Sequence, residues 1–300
     1  MKRVLVIGHR GMLGSDLLRF LERMGAREQL VEVRGVDLPE VDVTDPASLG
    51  HVFDDVRPEW VVNCAAFTQV DEAESRPDEA MRVNAEGAAN IAVAAAGAKL
   101  VHLSTDYVFD GRKDGPYLEG DPPHPLSVYG RSKLKGERLV SRSAGDHVIV
   151  RTSWAYGAAG PNFVTRMLEL AGAHDEIAVV ADQRGSPTYT RELSRAIWEL
   201  CKADARGIVH AAGGGSCSWY EFACEILRQS GLETRVRPIT TAEAGRAAAR
   251  PANSVLDTTR LRELTGFEFP PWRESLAGYL AERRSSREAP DEDKRSGGKL

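Results

Sequence analysis

Short, almost wholly apolar runs alternate along the chain with longer stretches whose apolar residues recur every three or four positions. The runs are RVLVI at 3–7, LVEVRGV at 30–36, WVVN at 60–63, KLVHLS at 99–104 and HVIVRT at 147–152. A strand covered on both faces reads as a continuous apolar run, and intervening helices return the chain to begin the next strand in the same direction. The alternation predicts an α/β fold with a doubly wound parallel sheet and helices on both faces, over residues 1–155. Beyond this point the rhythm loosens: IAVV at 177–180 and GIVHAAG at 207–213 lie among helical stretches at 161–173, 190–204 and 218–231. These predict a smaller C-terminal substrate-binding lobe, 156–284, that covers a ligand and is free to interleave with the first. From Arg283 the chain reads RRSSREAPDEDKRSGGKL. So few apolar residues cannot offset the entropy of ordering, and the tail, 285–300, is expected to be disordered.

Composition narrows the function classes. With 300 residues, 42% of them hydrophobic, the chain can bury one large core or two small ones. The opening MKRVLVIGHR holds too short an apolar run for a signal-peptide core or a membrane span, so a cytoplasmic protein with no membrane partner is expected. Cys64, Cys201, Cys217 and Cys224 show no C-x-x-C spacing, which argues against a zinc site or a disulfide framework. The net charge of −5 is spread along the chain without a basic stripe, so nucleic acid is not an expected partner. A small phosphate-bearing ligand stays open, because backbone N–H groups at a helix start bind phosphate without net positive charge.

Such a start follows the first apolar run. Gly8, Gly11 and Gly14 stand in Gly8-His9-Arg10-Gly11-Met12-Leu13-Gly14, and SDLLRFLERMG continues with apolar residues at helical spacing. Strand, glycine loop and helix in this order form the dinucleotide-binding unit of a Rossmann-type sheet, where residues without a β-carbon let a pyrophosphate approach the helix N-terminus. Asp37 closes the second run at about the distance where an acidic residue holds the adenosine ribose hydroxyls and favours NAD. Arg10 and Arg34 are placed to meet a 2′-phosphate instead, so the residues allow either NADH or NADPH. His9, beside the pyrophosphate, is expected to face solvent.

Acid–base chemistry is suggested further on. Tyr129 and Lys133 lie four apart at the start of the helical stretch VYGRSKLKGERLV, hence on one helix face. A phenol is a weak acid near neutrality, and an adjacent ammonium is expected to bring its pKa closer to the working range. The fourth run ends in Ser104-Thr105-Asp106-Tyr107, which puts hydroxyls at the carboxyl end of a parallel strand, where open α/β sheets bind ligands. Thr105 is a candidate oxyanion donor there, although capping the next turn is the ordinary task of such a hydroxyl.

The three glycines, Asn63-Cys64-Ala65-Ala66, Ser104-Thr105 and Tyr129/Lys133 together resemble the extended short-chain dehydrogenase/reductase family, whose members act on nucleotide sugars. Within it, NCAAFTQVDEAE (63–74), STDYVFDG (104–111), RTSWAYG (151–157), DQRGSPT (182–188) and ARPANSVLDT (249–258) resemble the dTDP-4-dehydrorhamnose reductases. The resemblance covers nearly all of residues 1–285 and implies reduction of the C4 ketone of dTDP-4-dehydro-L-rhamnose by NADPH or NADH. It implies that Gly11, Met12 and Leu13 contact the pyrophosphate, that Asp37, Asp42 and Val43 lie at the adenosine, and that Cys64, Ala65 and Ala66 line the cofactor cleft. Tyr129 would protonate O4, Lys133 would hold the nicotinamide ribose, and Thr105 would hydrogen-bond the same oxygen. Asp106, Trp154 and Arg250 would sit at the substrate, Arg250 at its diphosphate.

Related sugar dehydratases carry Asp-Glu after the threonine because elimination needs a further acid and base; here Tyr107 stands in place of the glutamate. Some such reductases use magnesium held between subunits by glutamates. Glu22 and Glu192 could serve, but their spacing demands nothing, and no metal site is expected. A homodimer is compatible with the family. Two other functions fit the same residues: a reductase or epimerase of another nucleotide sugar, and a non-catalytic subunit like the regulatory subunit of methionine adenosyltransferase, which shares the fold.

Overall fold

The computed structural model describes residues 2–28 and 31–288; Leu30 of the second apolar run and residues 289–300 of the expected tail lie outside the described residues. The apolar runs form a parallel sheet: β1 (Lys2–Ile7), β2 (Val31–Val36), β3 (Trp60–Asn63), β4 (Lys99–Thr105) and β5 (Asp146–Thr152), completed by β6 (Gly207–His210). Its order is β6-β5-β4-β3-β1-β2, and every adjacent pair is parallel. Val6, Val62, Val101 and Val148 stand side by side across four strands. Branched side chains in such a row pack well on a pleated surface and leave no water between sheet and helix.

Each face has its own core. On one, Val4, Val6, Val62, Val101 and Val150 meet Leu17 and Leu21 of the Met12–Glu28 helix and Leu193, Ile197 and Leu200 of the Thr190–Lys202 helix. On the other, Leu5, Ile7, Val61, Leu100 and Ile149 meet Leu49 and Val52 of the Pro46–Val56 helix, Ile91 of Ala88–Ala94 and Val140 of Val128–Ser143. Winding reverses between β1 and β3, so the carboxyl ends of these strands open the crevice where such sheets take ligands.

The second half interleaves with the first. GIVHAAG does not belong to the outer lobe: residues 207–210 pair with β5 as the sixth strand, and the Thr190–Lys202 helix lies on the central sheet. The open edge of β5 presents backbone N–H and C=O groups without partners, and β6 supplies them by parallel pairing. The tail also begins later than its composition suggests, since the Trp272–Glu288 helix carries residues 285–288. Trp272, Leu276, Tyr279 and Leu280 anchor the start of that helix in the outer core, and the polar residues after them continue the same hydrogen-bonded ladder. The outer lobe proper packs the Phe163–Ala171 and Trp219–Ser230 helices against a parallel pair, Glu176–Val180 with Arg235–Ile239. No described helix is long and apolar enough to cross a membrane.

Candidate active site

The loop after β1 is shaped by steric necessity. Gly8 has φ +81°, and a Cβ there would lie 2.6 Å from the Ala65 nitrogen; a Cβ on Gly14 would lie 2.1 Å from the Gly8 carbonyl oxygen. Neither position admits a side chain, and the tight turn leaves the start of the Met12–Glu28 helix open to a ligand. Gly11 N–H donates to the Gly8 carbonyl at 3.2 Å, and Cys64 N–H ties the β3 end to the Ile7 carbonyl at 2.9 Å. Such a turn, built of backbone, suits a pyrophosphate. His9 does not face solvent as expected: its ring packs over Gly35 of β2, where the missing Cβ makes room.

Asp37 is already engaged, accepting from Arg10 N–H at 3.0 Å and Leu38 N–H at 2.8 Å, so it braces the loop whose cofactor it was expected to read. Arg34 turns to Glu40 and Asp55 and offers no unpaired charge to a 2′-phosphate. Arg10 stays exposed, its guanidinium on the Leu38 carbonyl at 2.7 Å, with no carboxylate within ion-pair distance among the described residues. Asp42 closes an Asx turn on Thr44 N–H at 2.8 Å, and Val43 is buried against Gly87.

Across the crevice, the Val128–Ser143 helix starts at a Ser127 cap, with Val128 N–H held by Glu74 at 2.8 Å. It presents Tyr129 and Lys133 toward the end of β4. Thr105 caps the turn Asp106–Val108 by accepting from Tyr107 N–H at 3.2 Å, and its hydroxyl donates to Asp106 Oδ1 at 3.0 Å. Burial pushes the Tyr129 phenol up to about 12; the Thr105 hydroxyl works against this and Asp106 adds to it. The expected lowering by Lys133 is absent. That ammonium is drawn instead onto the Leu103 carbonyl at 2.6 Å, and burial lowers it to about 8 against the pull of Glu137 and Cys64. Asp106 is itself raised to about 7 by burial, against the opposing pull of the Ser254 and Thr105 hydroxyls. Tyr107, standing where dehydratases carry a glutamate, is pushed up further by burial and meets Tyr129 edge-on at 5.9 Å.

Sequence reasoning missed Asn84. It sits in a π-helical turn, Arg82–Gly87, and clamps Phe67 through both its N–H (2.8 Å) and its carbonyl (3.0 Å) while donating to Ser132 Oγ at 2.9 Å. The widened turn aims this side chain sideways into the neighbouring helix, and such bulges often mark functional sites. Nothing in the spacing of VNAEGAAN signalled it.

A cavity of about 690 Å³ opens beside Tyr107. Its walls carry Phe163, Val179 and Trp219; Arg166 reaches it from the Phe163–Ala171 helix, and Arg246 and Arg250 from one loop segment. Of the expected substrate residues, Arg250 lies here, but both its terminal nitrogens are held by Asp71 at 2.9 and 3.0 Å. Trp154 does not line the cavity; it has φ +46° and stacks flat behind Trp219 at 3.5 Å. Gly185 permits this packing, since a Cβ there would meet the Trp154 ring at 2.3 Å. Glu192, weighed as a magnesium ligand, accepts from Ser275 Oγ at 2.6 Å.

Comparison with known proteins can now be set beside this geometry. The family described as RmlD substrate binding domain matches residues 1–285. The chain belongs to this family. The spore coat polysaccharide biosynthesis protein SpsK of Bacillus subtilis is 44% identical over 288 residues, spanning 95% of this chain and 99% of its own length. The dTDP-4-dehydrorhamnose reductase of Sinorhizobium fredii is 43% identical over 286 residues, spanning 91% of this chain and 95% of its own. The crystal structure of Bacillus anthracis dTDP-4-dehydrorhamnose reductase in complex with NADP matches with a TM-score of 0.89 at 40% identity, covering 94% of this chain and 99% of that one. Membership in the RmlD family agrees with the Rossmann-type sheet and with the nucleotide-sugar chemistry that the residues resembled.

Proposed function

We propose that this protein is an NAD(P)H-dependent reductase that converts the C4 ketone of dTDP-4-dehydro-L-rhamnose to the alcohol of dTDP-L-rhamnose. The observation that carries this reading is the convergence of Thr105, Tyr129 and Lys133 at the carboxyl end of β4, across the crevice from a glycine cradle that no side chain can enter. The cradle fits a dinucleotide: Gly8, Gly11 and Gly14 with the start of the Met12–Glu28 helix would hold its pyrophosphate, and Cys64, Ala65 and Ala66 would wall its cleft. The bound cofactor supplies a hydride.

The chain's own residues handle the proton. Tyr129, with its pKa pushed high, is fully protonated at neutral pH and so can donate to O4 as negative charge develops there. Thr105 beside it supports the same oxygen. Lys133 would hold the nicotinamide ribose. In the cavity, Arg166, Arg246 and Arg250 suit a diphosphate, and Trp219 with Phe163 suits a flat base. Tyr107, a phenol standing where dehydratases carry a glutamate, leaves the site without the further carboxyl that dehydration needs. A cytoplasmic location follows from this reading, because reduced nicotinamide and activated sugars are found there, and a homodimer remains part of it, checked by light scattering.

The test is loss of nicotinamide absorbance when purified protein meets dTDP-4-dehydro-L-rhamnose. Wild type is expected to consume cofactor, and Tyr129→Phe to lose about 100-fold or more in kcat. Turnover only on another 4-keto sugar nucleotide would reassign the substrate. Cofactor binding without any turnover on a panel of such substrates would overturn the enzyme reading in favour of a binding subunit.

A further inference from the structure

The sheet face beneath the Val128–Ser143 helix changes character at its carboxyl end. Toward the amino end its inward residues are Leu100 and Ile149, as a packed layer requires. Next come Asn63 on β3, His102 and Ser104 on β4 and Arg151 on β5, all buried and adjacent in register. Glu137 meets them from the helix. Its Oε1 accepts from Ser104 Oγ at 2.6 Å and Arg151 Nε at 2.9 Å, and its Oε2 from Arg151 Nη2 at 2.7 Å. Both partners of this ion pair are almost wholly shut off from water, at 2% and 4% side-chain exposure.

Stability alone is a poor reason for such a pair, since well-packed apolar residues often replace buried ion pairs at no cost. Its position supplies a better one. Glu137 lies one helical turn beyond Lys133, on the same face, and its charge acts on that ammonium. Lys133 and Arg151 are thus two buried cations with one anion between them. Arginine does not release its proton within a protein, so without Glu137 the lysine would be the group to do so.

We propose that Glu137 is a positioning residue of the active site: clamped to β4 and β5 by Ser104 and Arg151, it seats the helix bearing Tyr129 and Lys133 and keeps Lys133 cationic. This rests on the reductase reading above. The other titratable or charged groups around Lys133 are Cys64 after β3, His102 on β4, Arg151 on β5 and Tyr129 on its own helix; the neighbouring π-helical turn presents the uncharged Asn84. Cys64 is pushed up to about 12 and His102 well below its usual range, both by burial, so near neutrality neither bears a charge that could replace that of Glu137.

The two halves of the pair make opposite predictions. In pH profiles of kcat/KM with NADPH, Glu137→Gln is expected to move the alkaline limb down by about one pH unit, and Arg151→Met to move it up, because the carboxylate then serves Lys133 alone. A purely structural pair would lower Tm and activity in both variants and leave the limb where it is. Should Glu137→Gln fail to fold, the direction of the Arg151→Met shift still decides. Limbs that coincide with wild type, or that move in the same direction, overturn the proposal. Inactive wild type would instead break the reductase reading before any variant is compared.

Discussion

The glycine loop at the end of β1 and the cavity beside Tyr107 both suit a phosphate, the first with backbone and the second with side chains. In the loop, positive potential comes from N–H groups at a helix start, and specificity comes from what is missing, since a Cβ at Gly8 or Gly14 would strike the opposing backbone. In the cavity it comes from Arg166 on one helix and from Arg246 and Arg250 on a loop about eighty residues later, and Asp71 pairs with both of the latter, closely with Arg250 at 2.9 Å and loosely with Arg246 at 3.8 Å. The first kind of site is rigid and tolerates no substitution. The second can be adjusted one charge at a time, which suits the part of a ligand that varies between substrates.

The sharpest way to break that contrast is Gly14→Ala. Its methyl would stand 2.1 Å from a carbonyl oxygen, an overlap costing about 3 kcal/mol or more, so dinucleotide Kd is expected to rise at least about 100-fold in a fluorescence titration. An unchanged Kd would show that the loop adapts like the cavity. Arg250→Ala should raise KM for the sugar nucleotide about 10-fold to 100-fold, as charge-assisted hydrogen bonds are worth about 1.5–3 kcal/mol, and leave cofactor Kd alone. Asp71→Asn, which frees the guanidinium, should lower the same KM. If both variants raise it equally, the Arg250–Asp71 pair braces the wall and does not grip the substrate.

Arg10→Ala probes whether a side chain supplements the backbone site. With Arg34 occupied by Glu40 and Asp55, Arg10 is the guanidinium left beside Asp37. The variant is expected to weaken NADPH about tenfold and NADH hardly at all; equal loss for both would assign Arg10 to bracing the loop.

The smallest effect expected is on stability. Asp106 is raised by burial from the ordinary carboxylate range to about 7, so the folded state favours its protonated form. That contribution is complete below the ordinary carboxylate range and is lost as pH rises through about 7. Asp106→Asn should therefore gain on wild type in Tm between pH 4 and pH 8, by a few degrees; parallel curves would mean that solvent reaches the carboxyl.

Much of the fold was legible because each sheet strand up to β5 announces itself locally, and the glycine loop and the Tyr129/Lys133 pair are short motifs tied to the elements that flank them. What was not legible shares a cause. GIVHAAG reads as one more apolar run, and its place beside β5 depends on an edge left open more than fifty residues earlier in the chain. Trp154 is a plausible substrate residue until Trp219 is seen to cover it. Asp37 and Arg34 carry the right chemistry for a ribose or a phosphate, yet each has found a partner within the protein. Asn84 gives no sequence signal, because its importance comes from a helix turn widened by one residue.

By itself, then, the sequence determined the first five strands of the sheet, their parallel course, the tight glycine turn after β1 and the residue types at the carboxyl end of β4, because backbone conformation, steric exclusion and burial of apolar runs act over a few residues. Tertiary structure alone decided which charges are spent. Whether Arg10 or Arg34 is available, whether Lys133 attends to Tyr129 or to Leu103 and Glu137, and which tryptophan faces the cavity depend on partners brought in from distant segments. In a buried, low-dielectric setting those partners govern charge more strongly than the side chain's own chemistry does.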